Sequence, residues 1–278
     1  MLSTLFLAES RAFAAATVEV LYAGSLIDLM EQSLGPAFLK ASGDRFAGYP
    51  GGSKLLANEI KERLRPADVF ISAVPAVNRA LEGKANGDWV RWTIAFARSP
   101  LVIGYNPKSR FAGDFRKKPW YEVLAEPGFR LGRTDPKLDP KGALTLAMMK
   151  KAEVFYKMPG LSRRVLGGRE NPAQVLPEET LLGRLQSGEL DAGFFYSSET
   201  AEAHIPAVVL PAQLAAAADY TVTILRRAPN PKGAARFLAL LLGAEGRRIL
   251  LQHGLGVEKP VLSGQAPAAI KRLLKKAQ

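Results

Sequence analysis

The hydrophobic pattern of this chain alternates between strand-type and helix-type spacing. β-forming residues follow one another in "VEVLYA", and the next segment, "SLIDLMEQSLGPAFLKA", has apolar positions at helical spacing, including Leu26, Leu29, Met30, Leu34 and Phe38. The same order recurs in "RFAGYP" with "SKLLANEIKERL", and in "ADVFISA" with "PAVNRALEG". Repeated strand–helix units predict a mostly parallel sheet with right-handed crossovers.

Two long extended segments interrupt this alternation. The first, "WTIAFARSPLVIGYNP", has no turn signal before Asn106 and Pro107, and the second is "HIPAVVLPAQLAAAADYTVTIL". Between them, the strands "RLGRTDP" and "DAGFFYSS" are separated by the helices "KGALTLAMMKKAEVFYK" and "EETLLGRLQSG". The last third predicts two helices divided near Gly243. Extended segments of this length suit strands that run between two lobes.

Composition narrows the class of protein. The chain has 278 residues, 47% of them hydrophobic, which suits one large domain or two lobes. The net charge of +12 favours an anionic partner. We expect no nucleic-acid partner, because Lys and Arg are dispersed and do not alternate with aromatic residues. The basic tail "IKRLLKKAQ" predicts the solvated face of a last amphipathic helix. Without cysteine, disulfides, zinc ribbons and thiol catalysis are excluded.

The N-terminus suggests export. The apolar run "MLSTLFLA" is followed by "AFAAA", which is typical of a signal-peptidase site, so we predict a signal peptide at residues 1–16 and a periplasmic protein. No basic residue precedes the run, and Glu9 and Arg11 follow it closely, which a start codon placed too far downstream would explain. The alternative is an ordinary N-terminal helix. No apolar run reaches the length of a membrane span.

Two Gly-Ser pairs are candidate binding elements. Ser25 and Ser53 each follow a predicted strand and begin a predicted helix. The N-terminus of a helix offers unpaired amides and the positive end of the helix dipole, which together suit an anion. The alternative is that each serine only caps its helix. Two such junctions in one lobe would meet at the carboxyl edge of the sheet, where open α/β folds bind ligands.

Three later junctions extend this pattern. Asp139 in "DPKLDPKG" precedes a helix, which it would cap while the backbone amide of Lys141 points at a ligand. Glu178 and Glu179 occupy the first turn of the helix in "LPEETLLGRL". Tyr196 ends the strand in "FFYSSET", where its phenol can reach a cleft.

Catalytic signatures are missing from the sequence. "GYPGGSK" fails as a phosphate loop because Ser53 precedes Lys54, and no G-x-G-x-x-G follows a strand. The two histidines, His204 and His253, are far apart, and neither HExxH nor GxSxG occurs. We therefore expect a protein that is not an enzyme and that needs no cofactor and no resident metal.

The ordered set of motifs resembles the periplasmic molybdate/tungstate-binding proteins of ABC importers, closer to the type first described in archaea. The landmarks are "YAGSL", "GGSKLLANEI", "ADVFISA", "FARSPLVIGYNP", "DPKG", "LQSGELDAGFFYSS" and the segment from "YTVTIL" to "LLQHG". The resemblance implies the type II periplasmic-binding-protein fold, with residues 17–98 and 205–278 in lobe I and 99–204 in lobe II. It also implies a monomer that closes on a small oxyanion and delivers it to a membrane ABC permease.

The same resemblance implies a set of ligand-binding residues. They are Ser25, Ser53, the backbone donor at Lys141, a donor near Thr180, and Tyr196. Neutral donors suit this task, because hydrogen bonds to an anion are strong and buried counter-charges carry a desolvation cost.

One departure from the archaeal type concerns two carboxylates that complete a six-coordinate metal centre there. Asp139 matches the first, and Phe195 stands at the position of the second. We therefore predict a four-coordinate oxyanion, with Asp139 contacting its own loop or the edge of the ligand. Open alternatives are a receptor for sulfate or phosphate, and an oxyanion-sensing domain or an enzyme on the same fold.

Overall fold

A computed structural model describes residues 16–277. The predicted signal peptide lies outside this range except for Ala16, whose carbonyl accepts a hydrogen bond of 2.8 Å from the Arg45 amide. The strands are β1 (Thr17–Ala23), β2 (Arg45–Gly51), β3 (Val69–Ser72), β4 (Trp92–Tyr105), β5 (Leu131–Thr134), β6 (Val175–Leu176), β7 (Ala192–Tyr196), β8 (Ala207–Val209), β9 (Ala217–Ile224) and β10 (Gly256–Gly264).

The α-helices lie between and after these strands. They are α1 (Gly35–Ser42), α2 (Ser53–Glu62), α3 (Pro75–Arg79), α4 (Trp120–Val123), α5 (Pro140–Phe155), α6 (Leu161–Leu166), α7 (Glu178–Gln186), α8 (Ser197–Glu202), α9 (Pro231–Leu242), α10 (Ala244–Gln252) and α11 (Ala268–Ala277). None of the helices in residues 16–277 combines the length and the apolar character needed to cross a membrane.

The strands form one continuous path in the order β2-β1-β3-β9-β4-β7-β5-β6, and β8 and β10 also pair with β4. Parallel pairing is confined to the two ends of the path, β2-β1-β3 and β7-β5-β6. The central strands pair antiparallel. The predicted α/β fold is confirmed. Its centre is antiparallel because β4 runs from one lobe to the other and β9 runs back.

The long strand β4 connects the two lobes. Its residues from Ile94 to Pro100 pair with β9, and those from Leu101 to Tyr105 pair with β7. Lobe I is defined here as β1–β3, β9, β10 and the first part of β4. Lobe II is β5–β8 and the second part of β4. The predicted boundary at 98/99 lies close to this change of partner. At the other boundary, β8 pairs with the lobe II part of β4, although it follows residue 205.

Some elements differ from the sequence prediction. The single helix predicted after β1 is divided into a 3-10 turn (Gly24–Leu26), a π-helical segment (Leu29–Leu34) and α1. Pro36 has no N–H for the regular ladder, and the Gly35 amide donates to the Met30 carbonyl five residues back instead. Strand β10 was not predicted. The last amphipathic helix is confirmed as α11, which buries Ile270 and Leu274.

Candidate functional site between the lobes

The two lobes are in contact across the cleft. The amides of Lys54 and Leu55, at the start of α2 in lobe I, both donate to the Leu138 carbonyl of lobe II at 3.0 Å. The Lys54 ammonium donates to the Pro136 carbonyl at 2.8 Å. One predicted anion-binding helix terminus is therefore satisfied by a backbone carbonyl of the opposite lobe.

A second contact joins the lobes through a histidine. His253, at the end of α10, lies 2.8 Å from Ser33 Oγ through Nε2 and 2.5 Å from Glu202 Oε1 through Nδ1. Ser33 belongs to lobe I and Glu202 to α8 of lobe II. Together with the contacts of α2, this arrangement holds the lobes in a closed conformation.

Seven side chains from both lobes form a group in the closed interface, which we call the cleft cluster. They are Ser25, Asp139, Lys141, Glu178, Tyr196, Glu199 and Tyr220. At its centre, the Lys141 ammonium lies 2.8 Å from Glu178 Oε1 and 2.7 Å from Glu199 Oε1. Only 1% of the Lys141 side chain is exposed, so this is a buried charge held by two carboxylates. Burial alone would lower the pKa of Lys141, but Glu178, Glu199 and Asp139 raise it further than burial lowers it.

Asp139 holds the start of α5. Its Oδ1 accepts hydrogen bonds from the Lys141 amide at 2.9 Å and from Thr134 Oγ1 at 2.7 Å. Burial, followed by the charge of Glu178, raises the pKa of Asp139 to about 6. Because the Lys141 amide is engaged in this cap, the group that Lys141 brings to the cleft is its ammonium.

Glu199 is fixed by its own helix. Besides its contact with Lys141, it accepts the Tyr196 amide through Oε2 at 2.7 Å, three residues back at the start of α8. Burial raises the pKa of Glu199 to about 7, although Lys141 lowers it. Near neutral pH this carboxyl group is therefore close to the midpoint of its titration.

Two tyrosines complete the cluster. Tyr220 OH lies 2.8 Å from Ser25 Oγ, and its ring centroid is 6.2 Å from that of Tyr196. The Lys141 ammonium lies 5.2 Å from the Tyr196 ring centroid. The Tyr196 hydroxyl is buried and has no hydrogen-bond partner among the described residues. It is therefore a donor that remains available for a ligand.

The structure brings four predicted residues together, namely Ser25, Asp139, Lys141 and Tyr196. Ser53 lies at the same interface, where a Cβ built on its neighbour Gly52 would sit 3.3 Å from Asp139 Cβ. The proposed N-cap role of the serines is wrong. Ala23 and Gly52 occupy the cap positions, Ser25 contacts Tyr220, and Ser53 Oγ accepts the Ala73 amide at 3.1 Å.

The structure does not bring Thr180 to the cluster. Its side chain is exposed, and its hydroxyl donates to the Pro177 carbonyl at 3.1 Å within the same turn. The residue of this helix that enters the cleft is Glu178, which precedes Thr180 by two positions. Thr180 faces away because the first turn of a helix places residues two apart on different sides.

Sequence reasoning missed the charged half of the site. Phe195 does stand in a buried strand without a carboxylate, but Glu178 and Glu199 supply two carboxylates from α7 and α8. The one local signal was the spacing of Glu199, three residues after Tyr196, which is typical of a helix start. Within residues 16–277, no group of three or more His, Cys, Asp and Glu side chains is arranged to hold a metal ion.

Two cavities flank Glu178. One, of about 200 Å³, is bordered by Gly24, Ser25, Glu178 and Glu199. The other, of about 350 Å³, is bordered by Gly52, Leu138, Asp139 and Glu178. Both lie along the contact between the lobes, and Glu178 borders each of them.

Comparison with known proteins points to a family. The family model described as "Bacterial extracellular solute-binding protein" matches residues 18–256. An "Uncharacterized solute-binding protein" of Petrotoga mobilis is 31% identical, over 74% of this chain and 75% of the relative. "Molybdate/tungstate-binding protein WtpA" of Thermococcus kodakarensis is 25% identical, over 83% of this chain and 78% of the relative.

A solved structure shares the fold. The periplasmic molybdate-binding protein of Azotobacter vinelandii superposes with a TM-score of 0.66 at 18% identity, covering 87% of this chain and 99% of that protein. At this identity the likeness concerns the fold, which is that of the two-lobed periplasmic binding proteins.

Proposed function

Because the chain belongs to the bacterial extracellular solute-binding proteins, we propose that it captures molybdate or tungstate between its lobes and delivers the oxyanion to a membrane ABC permease. Its place would be the periplasm, and it would act as a monomer without catalysing a reaction. Capture would occur by closure of the lobes about the crossing strands, with each lobe supplying donors.

One observation carries this proposal. A buried ammonium (Lys141), a phenol with no hydrogen-bond partner in residues 16–277 (Tyr196) and a serine hydroxyl (Ser25) from opposite lobes lie in one cluster at the interface. These groups donate hydrogen bonds, and donation to an anion in a site without water is stronger than donation between neutral groups. The names of the Thermococcus and Azotobacter proteins support molybdate or tungstate as the solute.

The proposed ligand set is Ser25, Ser53, Lys141, Tyr196 and the loop of Asp139. We propose that the oxyanion is held four-coordinate, by hydrogen bonds alone, and that no further cofactor or metal takes part. The hydrogen bonds of Asp139 to its own loop support this arrangement, because they leave its Oδ1 engaged with protein donors.

A hydrolase is a weaker candidate. Ser33, His253 and Glu202 stand in the order of a nucleophile, a base and a carboxylate. However, Ser33 lies within the helical segment Leu29–Leu34, where backbone amides serve the helix instead of forming an oxyanion hole. We interpret this chain of side chains as a contact between the lobes.

A thermal-shift panel with molybdate, tungstate, sulfate and phosphate tests the proposal. At a concentration of 100 times its Kd, the true solute adds roughly 2.7 kcal/mol of stability. We expect molybdate and tungstate to raise the melting temperature. If only sulfate or phosphate raises the melting temperature, that anion is the solute and molybdate and tungstate are not.

Serine variants locate the site. The double variant Ser25→Ala and Ser53→Ala removes a hydroxyl from each Gly-Ser loop and should abolish the shift. Ser187→Ala changes an exposed serine after α7 and should leave it unchanged. An unchanged shift in the double variant would place the site elsewhere in the chain.

A further inference from the structure

The two carboxylates that hold Lys141 are anchored differently. Glu199 has a second hydrogen bond, from the Tyr196 amide of its own helix. Within residues 16–277, the Glu178 carboxylate has one hydrogen-bond partner, the Lys141 ammonium. Glu199 is therefore fixed in place, whereas a competing anion at Lys141 would release Glu178.

Glu178 also lies where an anion is expected. Its Oε2 packs against Gly24 of lobe I so closely that a Cβ on Gly24 would collide with it. The Gly24–Ser25 loop was predicted to receive the anion, and in the closed structure a carboxylate of lobe II lies there. The Glu178 side chain is 3% exposed, so its carboxylate is buried at this position.

We propose that Glu178 is the resident anion of the cleft and that a bound oxyanion replaces it at the Lys141 ammonium. This inference rests on the proposed function and assigns two roles within it. Lys141 is the charged donor to the solute, and Glu178 sets the affinity by competing for that donor. No bond to Glu178 is broken other than its ion pair with Lys141, and the exchange leaves the pair of Lys141 with Glu199 intact.

The surroundings of Glu178 allow this exchange. Glu178 borders both cavities beside the cluster, so a side chain released from Lys141 has room to move into. Separation of the lobes moves Gly24 away from Glu178 Oε2 and exposes the ion pair to water, which weakens it. On closing, a doubly charged anion competes with the singly charged carboxylate for the same ammonium.

Isothermal titration with sodium molybdate at pH 7.5 tests the exchange. Glu178→Gln keeps the shape of the side chain and removes its charge, so the competing anion is lost. We expect Kd to fall about tenfold, which corresponds to 1.4 kcal/mol. Glu178→Ala removes the side chain beyond Cβ and should act in the same direction, so that the test does not depend on one variant.

The matched control is Glu179→Gln, the same change of charge on the next residue, which is exposed. Its charge is screened by water and salt, so we expect Kd to change less than about threefold. Tighter binding in the Glu178 variants but not in the Glu179 variant supports the exchange. Equal or weaker binding in folded Glu178 variants overturns it.

The outcomes for the proposed function are separate. If the wild type binds molybdate and the Glu178 variants do not bind it more tightly, the function stands and the exchange is wrong. If neither the wild type nor Glu178→Gln binds any of the four oxyanions, the function fails and the exchange fails with it. Binding by Glu178→Gln alone supports Lys141 as the charged donor but overturns both the exchange and the proposed function of the wild type, because the carboxylate then blocks the site.

Discussion

The two faces of the cleft are built from different chemistry. Within and beside the cleft cluster, lobe I presents small or neutral groups, Gly24, Ser25, Ser53 and Tyr220, and their polar atoms bond to one another or to backbone. The charged Lys54 of lobe I bonds to the Pro136 carbonyl instead. Lobe II presents one buried ammonium and the carboxyl groups that surround it. The polar groups of lobe I can therefore exchange hydrogen-bond partners at low cost. In lobe II, each change of charge has a large energetic effect.

This contrast suggests a division of labour. Neutral hydroxyls contribute about 1 kcal/mol each and fix orientation, because a protein–ligand bond replaces one that was already made. The charges of lobe II set the sign and the amount of charge that the closed cleft accepts. Variants on the two faces should accordingly differ in size of effect as well as in kind.

The largest effect is expected at the centre of lobe II. Lys141→Met leaves Glu178 and Glu199 buried without their counter-charge and should lower the free energy of unfolding by about 3–5 kcal/mol. Urea denaturation at pH 7.5 without ligand measures it.

Lys137→Met is the matched control for this prediction. Lys137 pairs with Glu170 at the surface, where both side chains are about half exposed (61% and 46%). Its loss should cost at most about 1 kcal/mol. If the two variants are equally stable, the carboxyl groups around Lys141 are protonated, and the description of lobe II as charged is wrong.

The same contrast explains what the sequence could and could not predict. The strand–helix alternation and the Gly-Ser loops of lobe I depend on neighbouring residues, so the fold and the position of Ser25 were within reach. The charged group is formed by Lys141 with Glu178 and Glu199, which lie 37 and 58 residues after the lysine in the sequence. Glu178 was noted only as a favourable charge at a helix start, because its partner is chosen by the packing of α7 against lobe I.

The register of a helix start was equally hard to predict. Placing the fourth donor at Thr180 instead of Glu178 is an error of two residues, and that error turns the side chain from the cleft to solvent. Tyr220 was missed for another reason. It lies in the returning strand β9, whose apolar pattern carries no sign that one hydroxyl meets Ser25.

The second prediction concerns pH. Burial raises the pKa of Glu199 from its usual 4.5 to about 7, so between these values the folded state holds a proton that the unfolded state releases. Stability therefore falls as pH rises through this window, by an amount on the order of 1–3 kcal/mol. Asp139 acts in the same direction, up to a pH of about 6.

Glu199→Gln should flatten this dependence, because the glutamine cannot titrate. Denaturation curves from pH 4.5 to pH 8 measure the slope in both proteins. Glu189→Gln, at an exposed pair with Arg184, should keep the slope of the wild type. Below about pH 6 a smaller slope from Asp139 should remain in Glu199→Gln, whereas a slope that survives above pH 6 would show that Glu199 is not the titrating group.

The smallest effect on stability is expected for the Tyr196 hydroxyl, which should contribute to ligand binding and not to folding. Within residues 16–277 the Tyr196 hydroxyl has no hydrogen-bond partner, so Tyr196→Phe removes a buried group that gains nothing from folding. Stability without ligand should stay the same or rise by up to about 1 kcal/mol, while Kd for molybdate rises about tenfold because one donor to the anion is lost.

Tyr220→Phe breaks an existing bond to Ser25 and should instead lower stability by about 1 kcal/mol. If Tyr196→Phe resembles Tyr220→Phe in denaturation, the phenol serves the fold, and the ligand must be held by the ammonium and the serines without it.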